Sequence, residues 1–458
     1  MRMRAGWWVC LKGCCIVRDA LIFFAFAITI PFIFKRPVVG ALVYAVFSLM
    51  NPHKLGYGRA YDFPFAMIIV VLTMISLVIS KEQKRVPMMP VVAVFCALCT
   101  WMTITAFFAL EPDVVWLEWN RVMKTMLMIA LTVATVRTVR DLNAMVATVA
   151  LSLGFWGFKG GIFTLVSGGS RGMLGPMGSY IGDNNTMALA MVTTVPLLVY
   201  LVSQADNKWI KRGAIALAVL TALSALGSYS RGALLASIAM GTFLWLKSHN
   251  KVKIGIVIVL LAPLVYVSMP ADWTSRMHSI DDYKEDTSAM GRINAWHFAY
   301  NVANSNIMGG GFFVFTPRMF KQYAPNPEAY HVAHSVFFQV LGEHGYIGLG
   351  IFLLMFLFGW RAGSQMIKFC KNKPELAWAK TLAQMCQVSM IGYLTAGTFL
   401  SMAYYDLIYY ILAMLVCLHK VVIVYPQPDN IPPVRLKFLD KYFPKTEAKR
   451  KPGRAKLA

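Results

Sequence analysis

The chain has 458 residues, of which 58% are hydrophobic and 14% charged, and its mean hydropathy is +0.57. A soluble protein carries about 25% charged residues, so this composition excludes an ordinary soluble domain. The formal net charge of +23 comes mostly from basic residues in short loops between apolar runs. Such loops orient membrane helices, so the charge indicates membrane topology rather than nucleic-acid binding. We therefore expect the lipid bilayer, and no nucleic acid, among the partners.

Apolar runs long enough to span a bilayer recur along almost the whole chain. Runs of about 18 residues are typical of transmembrane helices. We predict an all-α fold, a polytopic membrane helical bundle of about twelve transmembrane helices. The candidate spans lie near residues 19–34, 38–50, 64–80, 90–109, 122–139, 142–166, 186–203, 212–229, 231–247, 252–269, 336–360, 382–402 and 405–423.

The first two spans are short; Pro31 lies inside the first, and Pro37 lies between the two. They form either one irregular crossing or an exception to the positive-inside rule. From residue 50 onward, basic short loops alternate with less basic ones, which predicts a cytoplasmic C-terminus. The predicted parts are an N-terminal transmembrane bundle (1–269), one large periplasmic lid loop (270–334), C-terminal transmembrane helices (335–423) and a basic cytoplasmic tail (424–458).

The predicted lid, residues 270–334, is a polar segment of roughly 65 residues between two apolar spans. Loops longer than about 15 residues are usually functional or disordered. Residues 294–303 place four apolar side chains at helical spacing, which predicts a short amphipathic helix at the membrane surface. These side chains are Ala295, Phe298, Ala299 and Val302. The segment is therefore expected to be a folded lid rather than a linker.

A polar cluster, Tyr330, His331, His334 and Ser335, lies where the lid meets the next predicted helix. A helix N-terminus supplies unpaired N–H groups and a positive dipole end, both of which suit a phosphate. The same field lowers the pKa of a nearby imidazole and so favours neutral His334 as a general base. The alternative is a histidine that only caps the helix. His331 either shares the base role or packs in the lid.

Two arginines lie on the side that the charge pattern predicts to be poor in cations. Arg231 starts a predicted helix, and Arg292 lies in the lid. Guanidinium groups bind phosphate and pyrophosphate in a bidentate manner, which makes both arginines candidates for a substrate site. Arg171, in a glycine-rich outer loop, is a weaker third candidate. Snorkelling to lipid head groups is the alternative interpretation.

The sequence Glu111-Pro112-Asp113 has the paired-carboxylate spacing of metal-dependent, lipid-linked glycosyltransferases. This pattern is short, and no supporting histidine or third carboxylate accompanies it. We therefore expect no metal at this position and no cofactor in the protein.

Four features resemble a known family. His334-Ser335, nine further residues and Gly345-x-x-Gly348 are similar to the histidine motif of O-antigen ligases and of the related polymerases and oligosaccharyltransferases. The Ser-Arg-Gly-Ala around Arg231 and the long outer loop between late helices resemble the same superfamily. Residues 47–53 (Phe-Ser-Leu-Met-Asn-Pro-His) resemble the exosortase-associated O-glycosylation ligases. The likeness covers nearly the whole bundle, but its specific motifs span only a few dozen residues.

The resemblance implies a GT-C-like glycosyltransferase in a bacterial inner membrane, with its active site facing the periplasm. It implies a glycan donor on undecaprenyl pyrophosphate and lipid A–core oligosaccharide as acceptor, joined in a metal-independent, inverting transfer. In this interpretation His334 is the base, while Arg231 and Arg292 stabilise the leaving pyrophosphate. The residues expected to bind substrate are Arg171, Ser335, His331 and Tyr330.

Two other functions stay open. An O-antigen polymerase or a protein O-oligosaccharyltransferase of the same superfamily would use similar arginines and differ in its acceptor, which the sequence does not display. A lipid-linked sugar flippase or transporter would need charged residues deep in several spans. Here the charges cluster at predicted helix ends, with Lys124 and Lys159 as the main intrusions.

Overall fold

The computed structural model describes residues 2–56, 58–80, 86–167, 173–247, 252 and 287–424. Within these residues all regular structure is helical, which confirms the all-α prediction. The helices are α1 (Arg2–Lys35), α2 (Pro37–Ala45), α3 (Arg59–Asp62), α4 (Phe65–Ile79), α5 (Pro90–Phe107), α6 (Pro112–Thr135), α7 (Val139–Val166), α8 (Asn184–Gln204), α9 (Lys208–Leu226), α10 (Arg231–Lys247), α11 (Thr287–Ser305), α12 (Pro317–Tyr323), α13 (Val336–Phe369), α14 (Ala377–Gly397) and α15 (Asp406–His419). Short π-helical turns, Val46–Met50 and Lys420–Val424, extend α2 and α15.

Seven helices of the described chain are long and apolar enough to cross a membrane. Three shorter apolar helices, 37–50, 65–79 and 231–246, accompany them. The protein is therefore a helical membrane protein. The total of about twelve crossings stays a prediction, and the predicted span 252–269 lies outside the described residues apart from Val252.

The first two helices are separate elements that pack on each other, and the number of times they cross the membrane stays a prediction. They turn at Arg36, whose guanidinium donates to Asp141 of α7 at 2.9 Å. At the opposite end, Asp19 of α1 accepts a hydrogen bond from the Ala60 amide at 3.3 Å. Asp19 also packs on Gly58, where a Cβ would lie 2.3 Å from its Oδ2. Both ends of this helix pair are thus tied by polar contacts.

Helix α6 begins at Pro112, about ten residues before the predicted start near 122. The charged residues that hide this start from a hydropathy pattern are paired. The guanidinium of Arg121 lies 3.7 Å from Glu118 and 4.0 Å from the ring centre of Tyr180. The Tyr180 hydroxyl also donates to Glu118 at 3.1 Å. Pairing lowers the cost of keeping charges inside a membrane helix, so the helix continues through them.

The described residues of the lid, 287–335, form a small unit with a core of its own. The lid core buries the four apolar residues of α11 against α12 and the segment before it; its members are Ala295, Phe298, Ala299, Val302, Val314, Phe315, Met319, Phe320 and Ala333. The predicted helix over 294–303 is confirmed as part of the longer α11. Its place at the membrane surface stays a prediction, but its apolar face packs inside the lid rather than against lipid.

Helix α13, predicted as one span over 336–360, is broken near its start. Gly345 has φ 67° and ψ −171°, which is not helical and is a conformation almost restricted to glycine. We call residues 336–344 α13a and residues 346–369 α13b. Hydropathy does not reveal this break, because apolar residues continue on both sides of it. The half-helix α13a directly follows His334 and so belongs to the candidate site.

Candidate active site

The segment that leads to His334 is held against α11 by side-chain hydrogen bonds. The Asn294 amide donates to the carbonyls of Asn326 and Ala329 at 2.8 and 2.9 Å. The Trp296 indole donates to the Ala333 carbonyl at 2.9 Å and stacks on Phe338 of α13a. The residue directly before the histidine is therefore fixed between the lid and the start of α13a.

His334 has a left-handed backbone, with φ 43°. Few residues other than glycine adopt this conformation, and they cluster at functional sites where surrounding contacts hold them. The imidazole of His331 lies 6.3 Å from that of His334, measured between ring centres. His331 in turn packs on Gly291 of α11, where a Cβ would lie 2.2 Å from its Cδ2. The two histidines thus face the turn of α11 that carries Arg292.

The electrostatic surroundings favour a neutral imidazole at His334. Burial lowers its pKa, and the electrostatic effects of Arg292 and His331 lower it further. The carboxylate of Asp183 acts in the opposite direction. The prediction of a lowered pKa is therefore confirmed in direction, but its main cause is burial rather than the helix end. A neutral imidazole can accept a proton, as a general base must.

Ser335 is the residue at which α13 begins, as the sequence predicts. Its side chain is fully buried, and it makes no capping hydrogen bond to the helix. Its Oγ has no hydrogen-bond partner within the described part of the chain. A buried hydroxyl without a partner is costly. The substrate-binding role of Ser335 stays a prediction.

Arg231 lies at the same end of the bundle as Ser335. Gly232 faces α14, where a Cβ would lie 3.6 Å from the Ala396 carbonyl oxygen. Gly397 faces the start of α13, where a Cβ would lie 3.1 Å from Val336. The starts of α10 and α13 therefore both pack on the last turn of α14. This arrangement brings the predicted arginine and histidine to one end of the protein.

Sequence reasoning missed Asp183 as a site residue. It starts α8, where its Oδ1 accepts from the amides of Asn185 and Thr186 at 2.9 and 3.1 Å. Next to it, the Asn184 amide donates to the Ser228 carbonyl at 2.9 Å, close before Arg231. An aspartate followed by Asn-Asn-Thr is a recognisable start of a helix. Its electrostatic contact with His334, however, arises only from the tertiary packing.

The other predicted site residues have different outcomes. Tyr330 packs edge-on against Phe320 of the lid core, with ring centres 5.3 Å apart, and is partly exposed. Its substrate-binding role and that of His331 stay predictions. Arg171 lies outside the described residues, so its expected role is untested.

Glu111 connects α6 to the lid. Its carboxylate accepts a hydrogen bond from the Thr316 hydroxyl at 2.9 Å. It also lies 3.8 Å from the guanidinium of Arg318, whose side chain is 71% exposed. Among the described residues no group of three or more His, Cys, Asp or Glu side chains could hold a metal ion. The contacts of Glu111 with Thr316 and Arg318 connect the start of α6 to α12.

Two family models match the chain. Residues 216–353 match the family described as O-antigen ligase, over a region that contains Arg231, Arg292 and His334. Residues 216–353 therefore form a domain of the O-antigen ligase family. Residues 17–206, from α1 to α8, match a family of unknown function (DUF5935). A comparison with curated proteins gave no match.

This domain supports a glycosyltransferase-like membrane enzyme of ligase or polymerase type. The family region also contains the two glycines of the histidine motif, and the structure explains why each of these positions is a glycine. Gly345 breaks α13, and Gly348 lies where a Cβ would be 2.3 Å from the Cβ of His344. The indole of Trp101 fills the adjoining space and donates to the His344 carbonyl at 2.9 Å. Gly345 and Gly348 thus shape the end of α13a that lies away from the His334 imidazole.

Proposed function

We propose that the protein is an O-antigen ligase that transfers a glycan from undecaprenyl pyrophosphate to lipid A–core oligosaccharide. The observation that carries this proposal is the setting of His334 beside Arg292, in a left-handed turn at the junction of lid and α13a. This setting combines a neutral base with a fixed positive charge. Acyl, phosphoryl and glycosyl transfers all benefit from charges that are already in place where negative charge develops.

In the proposed reaction His334 removes the proton from a hydroxyl of the acceptor sugar. The acceptor oxygen forms a bond to the anomeric carbon as the bond from that carbon to the pyrophosphate oxygen breaks. Attack opposite the leaving group inverts the configuration. Arg292 and Arg231 stabilise the negative charge on the departing pyrophosphate, so that no step requires a metal ion. The proton on the imidazole then returns to solvent.

The proposed orientation puts the lid in the periplasm. Basic residues are concentrated at the opposite end of the bundle, in the loops and helix ends around Arg137, Lys208 and Lys371. Positive residues stay on the cytoplasmic side of inner membrane proteins, which supports a periplasmic lid and a cytoplasmic C-terminus. Both the lipid-linked glycan and the lipid A–core acceptor then meet His334 from the outer leaflet.

The test is reconstitution of the purified full chain in liposomes with a lipid-linked glycan and lipid A–core oligosaccharide. We expect glycan on the lipid A–core with the wild-type protein and none with His334→Ala. Arg318→Ala is the matched control, because this lid arginine is exposed and bonds only toward Glu111 among the described contacts. Near wild-type transfer by folded His334→Ala protein would contradict the mechanism.

The same assay separates the alternatives within the superfamily. A longer glycan on the lipid carrier, with no lipid A–core product, would identify a polymerase. Glycan on serine or threonine of an added protein would identify an oligosaccharyltransferase. Movement of the lipid-linked glycan across the bilayer without transfer would identify a flippase.

A further inference from the structure

Glu343 is a buried carboxylate at the opposite end of α13a from His334, and the proposed chemistry does not use it. Its side chain is 5% exposed. An ionisable residue inside a membrane protein is costly to bury, and it is retained where it has a function and a partner. The partners of Glu343 come from two segments besides its own helix.

The Glu343 carboxylate joins the lid, α13a and the loop between α14 and α15. The Phe313 amide of the lid donates to its Oε1 at 3.3 Å. The Tyr404 hydroxyl, from the loop over 398–405, donates to its Oε2 at 2.5 Å. Gln339, one turn earlier in α13a, binds the same loop, because its Oε1 accepts from the Ala403 amide at 3.1 Å. One buried side chain therefore connects three parts of the structure.

Backbone hydrogen bonds hold the same end of α13a. The amides of Gly310 and Gly311 in the lid donate to the carbonyls of Gly342 and Glu343, both at 2.8 Å. The last carbonyls of a helix have no partner within that helix, so the lid completes their bonding. We call these two backbone hydrogen bonds, together with the contacts of the Glu343 side chain, the clamp. The clamp holds the C-terminal end of α13a, and the N-terminal end of α13a follows His334.

The clamp also fixes an unusual backbone. Phe313 has φ 62°, a left-handed conformation that a bulky side chain rarely adopts. Its amide is the group that donates to Glu343. A conformation of this kind persists only where surrounding contacts determine it. Without the carboxylate, the lid segment would lose a contact that holds it in this form.

We propose that Glu343 is a positioning residue for His334. By joining the lid to α13a and to Tyr404, it sets the pose of the half-helix and so the place of the imidazole relative to Arg292. This inference rests on the function proposed for His334. A misplacement of about 1 Å costs about a hundredfold in rate, so loss of the clamp acts on turnover rather than on substrate binding.

The first test compares transfer rates of three variants, each corrected for the amount of folded protein. Glu343→Ala should lower kcat about a hundredfold and leave KM for the lipid-linked donor near its wild-type value. Glu343→Gln should restore most of the rate, because its oxygen still accepts from Phe313 and its amide can donate to Tyr404. Tyr404→Phe removes one bond and should cause a smaller loss. Equal losses in the Gln and Ala variants, or a loss only in KM, would overturn the inference.

The second test needs no substrate and separates failure of this inference from failure of the proposed function. Diethyl pyrocarbonate modifies neutral imidazole, and the share due to His334 is the difference between a protein and the same protein with His334→Ala. The pH dependence of this share should shift in Glu343→Ala, since the imidazole moves relative to Arg292, His331 and Asp183. An unchanged titration in folded Glu343→Ala protein would overturn the inference. Failure of the proposed function would instead appear as transfer that survives His334→Ala.

Discussion

Gly309 of the lid and Gly345 of α13 meet through their backbones. A Cβ on Gly309 would lie 2.5 Å from the Gly345 amide nitrogen, and one on Gly345 would lie 3.0 Å from the Gly309 amide nitrogen. Both residues have positive φ, 71° and 67°. The break in α13 and the fold of the lid therefore depend on each other, because neither backbone can retain its path if the other changes.

Gly345→Ala should destabilise the protein. Its φ and ψ are almost restricted to glycine, and a Cβ would lie 2.5 Å from the Ile307 carbonyl oxygen. Strain of this kind costs about 1–3 kcal/mol, before any cost of the contact. The midpoint of thermal unfolding in detergent should fall by several degrees. Gly350→Ala in the same helix is the control, since no heavy atom lies within 4 Å of its Cβ. Equal stability of the two variants would refute our explanation of the break.

Transfer should be lost at low pH, as His334 takes up a proton. Burial, followed by the charges of Arg292 and His331, lowers the pKa of His334 below its ordinary 6.5. The acid limb of kcat/KM should therefore have its midpoint below pH 6.5, with full activity above it. Asp183 raises this pKa, so Asp183→Asn should move the midpoint further down, while asparagine still caps α8. A midpoint above 6.5, or one that Asp183→Asn raises, would argue against His334 as the base.

Arg292→Ala and Arg231→Ala should each lower the rate of transfer about a hundredfold or more, the usual cost of removing a preorganised charge contact. Arg292→Lys should recover only part of the rate, because an ammonium group cannot bind pyrophosphate in a bidentate manner. Steady-state kinetics with the lipid-linked donor measure both effects. Arg318→Ala, in the same lid, should stay close to wild type. Comparable losses in all three arginines would indicate damage to the lid rather than lost pyrophosphate contacts.

Glu111→Gln should leave transfer within a few-fold of wild type, with or without a chelator. The Thr316 hydroxyl can still donate to the remaining oxygen of the amide, so the tie between α6 and α12 is largely kept. The exposed ion pair with Arg318 contributes little to stability, since exposed ion pairs contribute about 0–1 kcal/mol to the free energy of unfolding. A strong loss on chelation, reproduced by Glu111→Gln, would instead make this carboxylate a metal ligand.

Apolar spacing predicted that residues 294–303 are helical, but not what their apolar face packs against. The four apolar residues of α11 indicated a helix, and they form the centre of the lid core. Their burial partners, such as Phe320, lie on a separate helix, and spacing within α11 does not reveal them. This is why the sequence suggested the membrane surface as the place of that apolar face.

The site was only partly predictable. His334 and Arg231 stood out because each lies at a helix start, a position that local sequence signals mark. The roles of Asp183 and Glu343 depend on contacts with residues 30 or more positions away, such as Phe313 for Glu343. No local pattern encodes such contacts. The break at Gly345 was missed for a related reason, since its φ becomes visible only when the lid packs against it.

The nine residues between Ser335 and Gly345 are the whole of α13a, so the spacing of the histidine motif is the length of a helix. At about 1.5 Å per residue, this helix separates the imidazole from the clamp by roughly 14 Å. One inserted residue would rotate His334 by about 100° around the helix axis while every side chain of the motif remained present. The number of residues in the motif therefore fixes both the distance and the direction of the His334 imidazole relative to Glu343.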